Sequence, residues 1–337
     1  MAEAGFYLIK KQDFPGFIDA LLKQFKIFAP VQANGEHNFA EIKTSKEIDL
    51  HGYLNTEFPP KKFFIREAEI LMEYQKGGKI SEKKAREKSV IFGVRPCDTH
   101  GLDVLDRVLL SWHTDVYYRK RRDNTLIFAL NCSRADENCF CESMDTREAT
   151  GFDLLFTDHG GEFHVEVGSE KGKAIIARSK LFRKTGQRVK RAKLEFRKKI
   201  RTENLEAAMT ASFGNKFWEE TAKHCLSCGS CTSVCPTCYC FDISHQGSMD
   251  RSSGKIVRMQ NYCMLKPFTR VAGGACTRDS RTERVKQFFY HKLLYGKQTQ
   301  DKFHCVGCGR CIKECMTHID ITEEAKKARD EYDYRKR

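Results

Sequence analysis

Two stretches of the chain carry cysteine at one and the same spacing. HCLSCGSCTSVCP places Cys225, Cys228, Cys231 and Cys235 ahead of Pro236, and HCVGCGRCIKECM places Cys305, Cys308, Cys311 and Cys315 ahead of Met316. Three thiols two residues apart can wrap one centre, with Gly229, Gly307 and Gly309 easing the turns. C-x2-C-x2-C-x3-C, usually followed by Pro, is the run that holds a cubane [4Fe–4S] cluster. A zinc ribbon needs two CxxC pairs and would leave the third and fourth cysteines of each run idle. Met316 stands where Pro is usual, which bears on the turn more than on ligation.

In two-cluster ferredoxins the fourth cysteine of each run ligates the other run's cluster. One cluster is therefore expected on Cys225, Cys228, Cys231 and Cys315, and a second on Cys305, Cys308, Cys311 and Cys235. The runs begin 80 residues apart, so a sizeable insertion separates them.

The remaining cysteines complete a total of 16 in 337 residues. The N-terminus, MAEAGFYLIKKQ, lacks a secretory pattern, and no apolar run reaches the roughly 18 residues that span a bilayer. A cytoplasmic, non-membrane-spanning chain with reduced thiols is expected, in which cysteines bind metal rather than pair as disulfides. Cys97, Cys132, Cys139 and Cys141 form a second constellation. C-x6-C-x-C is not a ferredoxin spacing, so a third cluster, a zinc site and inert structural thiols all remain open. Cys238, Cys240, Cys263 and Cys276 lie between the two runs. They either hold a fourth cluster or pack around the others and donate weak S–H bonds. His224 and His304 read as supporting or surface groups rather than ligands.

Cysteine content divides the chain into two parts, in keeping with about two domains for this length. Residues 1–182 read as α/β. Pro15 to Phe28 carries a helical apolar stripe, Ser89–Val94 and Thr125–Leu130 read as buried strands ending beside Cys97 and Cys132, and 153–157 with 162–167 read as a hairpin. Sites beyond the carboxyl ends of strands are usual in open α/β sheets. Residues 183–201 hold ten Lys or Arg and one acid and begin a basic linker or exposed helix over 183–220. That surface suits an acidic partner; without aromatic platforms or a nucleic-acid motif it is not read as a nucleic-acid arm. An α+β ferredoxin-like domain holding two [4Fe–4S] clusters follows over 221–322, with an insertion at 241–300 between the cluster motifs, and 323–337 reads as a helical tail.

No G-x-G-x-x-G follows a strand, Gly273-Gly274 being too little for a dinucleotide site, and there is no P-loop, nickel–iron pattern or catalytic triad. No catalytic residue is assigned. PPKKFF at 59–64, PCDTHGLDVLD at 96–106, ENCFC at 137–141, CLSCGSCTSVCPTCYCFD at 225–242, VAGG at 271–274 and CVGCGRC at 305–311 together resemble a family. It comprises the iron–sulfur beta subunits of sulfhydrogenase, an NAD(P)-linked hydrogenase, and the iron–sulfur subunits of anaerobic sulfite reductase, with PPKKFF nearer to the first branch. Ala275 stands where the family carries His. The resemblance implies an electron-transfer subunit of a hetero-oligomer, favours a third cluster on Cys97, Cys132, Cys139 and Cys141, and makes Cys238, Cys240 and Cys263 part of a pattern. It implies an FAD- and NAD(P)-binding partner of the ferredoxin-reductase type, and catalytic and small subunits of a hydrogenase. Electrons would hop between the docked flavin and the first part's cluster by way of the paired cubes. A sulfite reductase component, a heterodisulfide- or formate-linked module, and a direct sulfur or polysulfide reductase acting through Cys238 and Cys240 are the alternatives.

Overall fold

The computed structural model describes residues 5–82, 87–250 and 252–335. In chain order the strands are β1 (Phe6–Lys10), β2 (Lys26–Ala33), β3 (Glu36–Ile42), β4 (Ala68–Gln75), β5 (Lys79–Glu82) and β6 (Ser89–Val94), then β7 (Thr125–Leu130), β8 (Leu154–His159), β9 (Glu162–Val167), β10 (Arg183–Thr185), β11 (Phe241–Gly247) and β12 (Ser253–Gln260). Eight of them form a mixed sheet in the order β10-β1-β9-β8-β7-β6-β2-β3, with β2, β6, β7 and β8 parallel.

The central sequences SVIFGV and TLIFAL are almost wholly apolar because helices cover both faces of a parallel sheet. Val90, Phe92, Leu126 and Phe128 meet Phe14, Phe17, Ile18 and Leu21 of the helix Phe14–Leu22 on one side. Ile91, Val94 and Ile127 meet Leu102 and Leu105 of the helix Pro96–Leu110 on the other. Phe92 and Val94 are two residues apart yet face opposite sides, because the β6–β7 register slips between them. Gly93 makes that bulge: its φ is +86°, and a Cβ there would lie 2.8 Å from the Pro30 ring. The Tyr53 hydroxyl donates to the Gly93 carbonyl at 2.8 Å. A bulge at a strand end re-aims the chain beyond it, here Arg95, Pro96 and Cys97.

Sequence expectation and structure part in a few places. The helix expected over 15–28 stops at Leu22, and Lys26 opens β2. Phe28 fits a helical stripe, but pairing with β6 at Ile91 and β3 at Glu41 prevails. The hairpin turns at Gly160-Gly161 with its first strand shifted to Leu154–His159. No helix forms over 183–201. Like charges three and four residues apart oppose one, and the extended chain lets Arg188 pair with Glu166, Arg191 with Glu148 and Lys198 with Asp320. Helices follow at Leu205–Ala211 and Phe217–His224, packing with Phe288, Phe289 and the terminal helix Ile321–Arg335 in a second core. The expected tail helix is present as far as Arg335; its last two residues lie outside the described part.

The second sheet, β11-β12-β4-β5, crosses the chain's apparent division: the hairpin of the insertion adds to a strand of the N-terminal part. Glu69 on β4 is buried between Arg258 of β12 and Arg121 of the helix Val116–Asn124. None of the described helices is long and apolar enough to cross a membrane.

Gly93→Ala combines an unfavourable φ with a backbone-proximal clash, and is expected to cost about 1–3 kcal/mol. A fall in the urea midpoint with unchanged slope checks this, and an unaltered midpoint contradicts it.

Candidate metal centres

The two cysteine runs share a backbone. Ser227 and Gly307 both have left-handed φ values (+53° and +63°), as do Gly229 and Gly309 (+83° and +77°), and each run then enters a four-residue helix, Ser230–Ser233 or Arg310–Lys313. Serine is tolerated at 227, but a Cβ at 307 would fall 2.6 Å from the Cys141 backbone nitrogen and one at 309 would fall 2.5 Å from the Asn138 carbonyl oxygen. The second run is glycine-rich because the loop carrying Cys139 and Cys141 lies on it. Phe140 N–H donates to Gly307 O at 2.8 Å, and the Cys139 thiol to Cys308 O at 3.7 Å.

Cys225, Cys228, Cys231 and Cys315 border one cavity, otherwise lined mainly by apolar groups including Met264, Val285 and Phe288. Cys228 is exposed there, between Leu226 and Met316, which are exposed too. Backbone N–H groups of Ser227 and Ile319 donate to the sulfurs of Cys225 and Cys315 at 3.3 and 3.2 Å. Cys235 lies within electrostatic reach of Cys305, Cys308 and Cys311. Cys97, Cys132, Cys139 and Cys141 border a second cavity, with Arg95, Arg134, Arg147 and Arg191 around it. Cys308 neighbours Cys97, Cys139 and Cys141, and Cys311 reaches the first cavity. The set that includes Cys308 and Cys311 therefore adjoins both others.

Burial pushes the thiols of Cys141 and Cys305 up to about 12, and raises Cys97, Cys231 and Cys311 as well. Loading such sites releases protons, because thiolate is the ligating form. No three His, Cys, Asp or Glu side chains among the described residues converge closely enough for a single metal ion. Zinc, with bonds near 2.3 Å to sulfur, demands such convergence. Four thiols spread around a cavity suit a polynuclear iron–sulfur group instead.

Of the four cysteines between the runs the structure brings three together. The β11–β12 register sets Phe241 opposite Gln260 and joins Asn261 N–H to Cys240 O at 3.0 Å, which carries Cys263 to Cys240. Cys263 holds the proton that lets Cys240 fall to about 7, and Cys238 holds one for Cys235. Cys276 is placed otherwise, its sulfur bonding to Thr269 Oγ1 at 3.1 Å and Lys266 O at 3.4 Å. His224 is exposed; His304 is buried against His291, Nδ1 to Nε2 at 3.2 Å.

Sequence reasoning overlooked the cations. Arg95 is buried and donates to Leu54 O, Leu130 O and Asn131 O at 2.8, 3.2 and 3.0 Å. Arg310 grips Asp98 with both terminal guanidinium nitrogens, at 2.6 and 2.9 Å, and donates from Nε to Thr56 O at 2.7 Å. Lys61 and Lys292 are buried beside Cys235 and Cys238. Lys61 falls within PPKKFF, which offered a signal; Lys292 reads as one more lysine in a helix.

These features define an iron–sulfur protein, and a family model described as a 4Fe-4S dicluster domain matches residues 224–319. The chain is 34% identical over 329 residues to sulfhydrogenase 2 subunit beta of Pyrococcus furiosus, covering 93% of this chain and 96% of that protein. It belongs to the sulfhydrogenase beta-subunit family. No solved structure matches it.

Breaking the Asp98–Arg310 pair with Arg310→Met strands a buried carboxylate, at a cost of about 3–5 kcal/mol. Chemical denaturation should show less loss in Asp98→Leu/Arg310→Met than in the single Arg310→Met variant; equal or greater loss contradicts the pairing.

Proposed function

We propose that the chain is the electron-transfer subunit of a multisubunit oxidoreductase of the hydrogenase type, holding three [4Fe–4S] clusters. The observation that carries this reading is the adjacency of the three thiol sets, with the Cys305, Cys308, Cys311 and Cys235 set between the other two. Cys225, Cys228, Cys231 and Cys315 would hold the first cluster, that middle set the second, and Cys97, Cys132, Cys139 and Cys141 the third. Each cluster, when bound, takes up and releases single electrons, at a potential set by burial, charge and hydrogen bonds to sulfur.

The chain's own residues supply those settings. Ser227 and Ile319 direct N–H groups at sulfur, and apolar Met264, Val285 and Phe288 line the first cavity. Arg95 brings positive charge to the cavity of Cys97, Cys132, Cys139 and Cys141. Exposed Cys228, flanked by Leu226 and Met316, suits approach of another subunit's redox group. The name of the P. furiosus relative makes that protein one subunit of a sulfhydrogenase. We accordingly read this chain as a cytoplasmic subunit working between an FAD- and NAD(P)-binding partner and the catalytic and small subunits of a hydrogenase. In domain terms, an α/β part (1–182) and a basic connection (183–220) precede the dicluster domain (221–322).

Anaerobically purified chain should contain about twelve iron and twelve acid-labile sulfide. Cys139→Ser should reduce both to about eight, and Cys276→Ser should leave them unchanged. Eight in the unaltered chain removes the third cluster, and zinc in place of iron and sulfide ends the reading.

A further inference from the structure

Lysine is among the residues least often buried without a charged partner, yet two lysines here are enclosed within a few ångströms of one cysteine run. Lys61 is 3% exposed and Lys292 1% exposed. Lys292 Nζ donates to Thr237 Oγ1 at 2.8 Å, and Thr237 Oγ1 stands 3.2 Å from Cys235 Sγ and donates to His304 O at 2.6 Å. The backbone doubles this link, since Cys305 N–H donates to Lys292 O at 3.1 Å. Lys292 lies in a π-helical turn, His291–Tyr295, a local widening often found at functional positions. Lys61 Nζ, from the turn Pro60–Phe63, donates to Thr232 O at 3.3 Å and Cys238 O at 3.2 Å.

Neither ammonium meets a carboxylate among the described residues: Lys61 bonds two carbonyls, and Lys292 the Thr237 hydroxyl and the Cys238 sulfur. Three of the buried arginines differ. Arg310 has Asp98, and Arg121 and Arg258 share Glu69. A compact, unpaired charge in a low-dielectric interior requires an anion nearby. The groups it faces are Cys235, through it the set with Cys305, Cys308 and Cys311, and the surplus thiols Cys238, Cys240 and Cys263. No lysine stands among the residues lining the cavity of Cys225, Cys228, Cys231 and Cys315.

We propose that Lys292 and Lys61 are potential-setting residues for the cluster held by Cys235, Cys305, Cys308 and Cys311, raising its reduction potential above that of the cluster held by Cys225, Cys228, Cys231 and Cys315. This rests on the electron-transfer reading above. The two ammoniums are fixed charges in position before any electron arrives, so they favour the reduced, more negative cluster without rearrangement. They make the middle set the place where an electron rests. Cys238, Cys240 and Cys263 then serve as neighbours of that cluster rather than as ligands.

The test is EPR-monitored redox titration of the full chain, with iron and sulfide measured on every sample. The middle cluster's signal is assigned with Cys311→Ser, and the surface cluster's with Cys228→Ser. Lys292→Met should make the middle cluster about tenfold harder to reduce, a shift of 59 mV for a one-electron couple. Lys61→Met should shift it the same way, the surface couple should stay, and Lys292→Arg should restore most of the loss. Lys61→Met, whose ammonium bonds only carbonyls, keeps the test open if Lys292→Met does not fold. Unchanged potentials in iron-loaded variants overturn the proposal, as does an equal shift of all couples, which marks a structural role. About sixteen iron per unaltered chain also overturns it, because the ammoniums would then face a fourth group. A chain without iron and sulfide defeats the electron-transfer reading itself, and this inference with it.

Discussion

The placing of the thiols depends on one buried contact, the two-pronged grip of Arg310 on Asp98. Asp98 follows Cys97 in the first turn of the helix Pro96–Leu110, and Arg310 precedes Cys311 in the second cysteine run. One rigid, planar contact therefore sets the third thiol group against the middle one. Such a pair adds little net stability relative to apolar packing, since both charges leave water. What it contributes is register. The seam around it closes so tightly that side chains are excluded at three points: Gly307 against Cys141, Gly309 against Asn138 and Gly101 against Pro236. The Gly93 bulge at the end of β6 aims Arg95 and Cys97 at this seam.

The cysteine runs were legible because their chemistry is local. Ligands two residues apart impose the same left-handed turns wherever they occur, and a dicluster family model covers that stretch. The strands Ser89–Val94 and Thr125–Leu130 were equally plain, since burial on both faces leaves an unbroken apolar run. What sequence could not convey was the partner of each surface. Nothing in FDISHQG or SGKIVRMQ announces that their hairpin joins β4, a strand some 170 residues earlier that carries Glu69. Phe28 suited either a helix or a strand until the neighbour at Ile91 decided the matter. The basic stretch 183–201 looked helical or loose, and its extended path depends on acids at Glu148, Glu166 and Asp320, supplied from elsewhere in the chain.

The formal charge of +14 invites the thought that lysine and arginine serve the surface alone. Several do not. Arg95, Arg121, Arg258, Arg284 and Arg310 are buried with Lys61 and Lys292. The arginines are provided for by carboxylates, or by several carbonyls at once: Arg284 donates to Met264 O, Arg278 O and Asp279 O. A delocalised guanidinium with five donors tolerates that environment; an ammonium, a compact and strongly hydrated charge, tolerates it less.

The interior's least compensated positive charge therefore gathers at a single place, beside the middle set of thiols. Cys305 is buried, and Cys308 and Cys311 are half-buried, whereas Cys228 of the outer set is exposed. A group ligated by four thiolates carries negative charge, and adding an electron deepens it. Solvent eases that addition at the outer site. At the middle site water is scarcer, and without nearby cations the group there would be harder to reduce than the outer one. It is at this site that the fold encloses two lysines and, among the described residues, places no carboxylate against them.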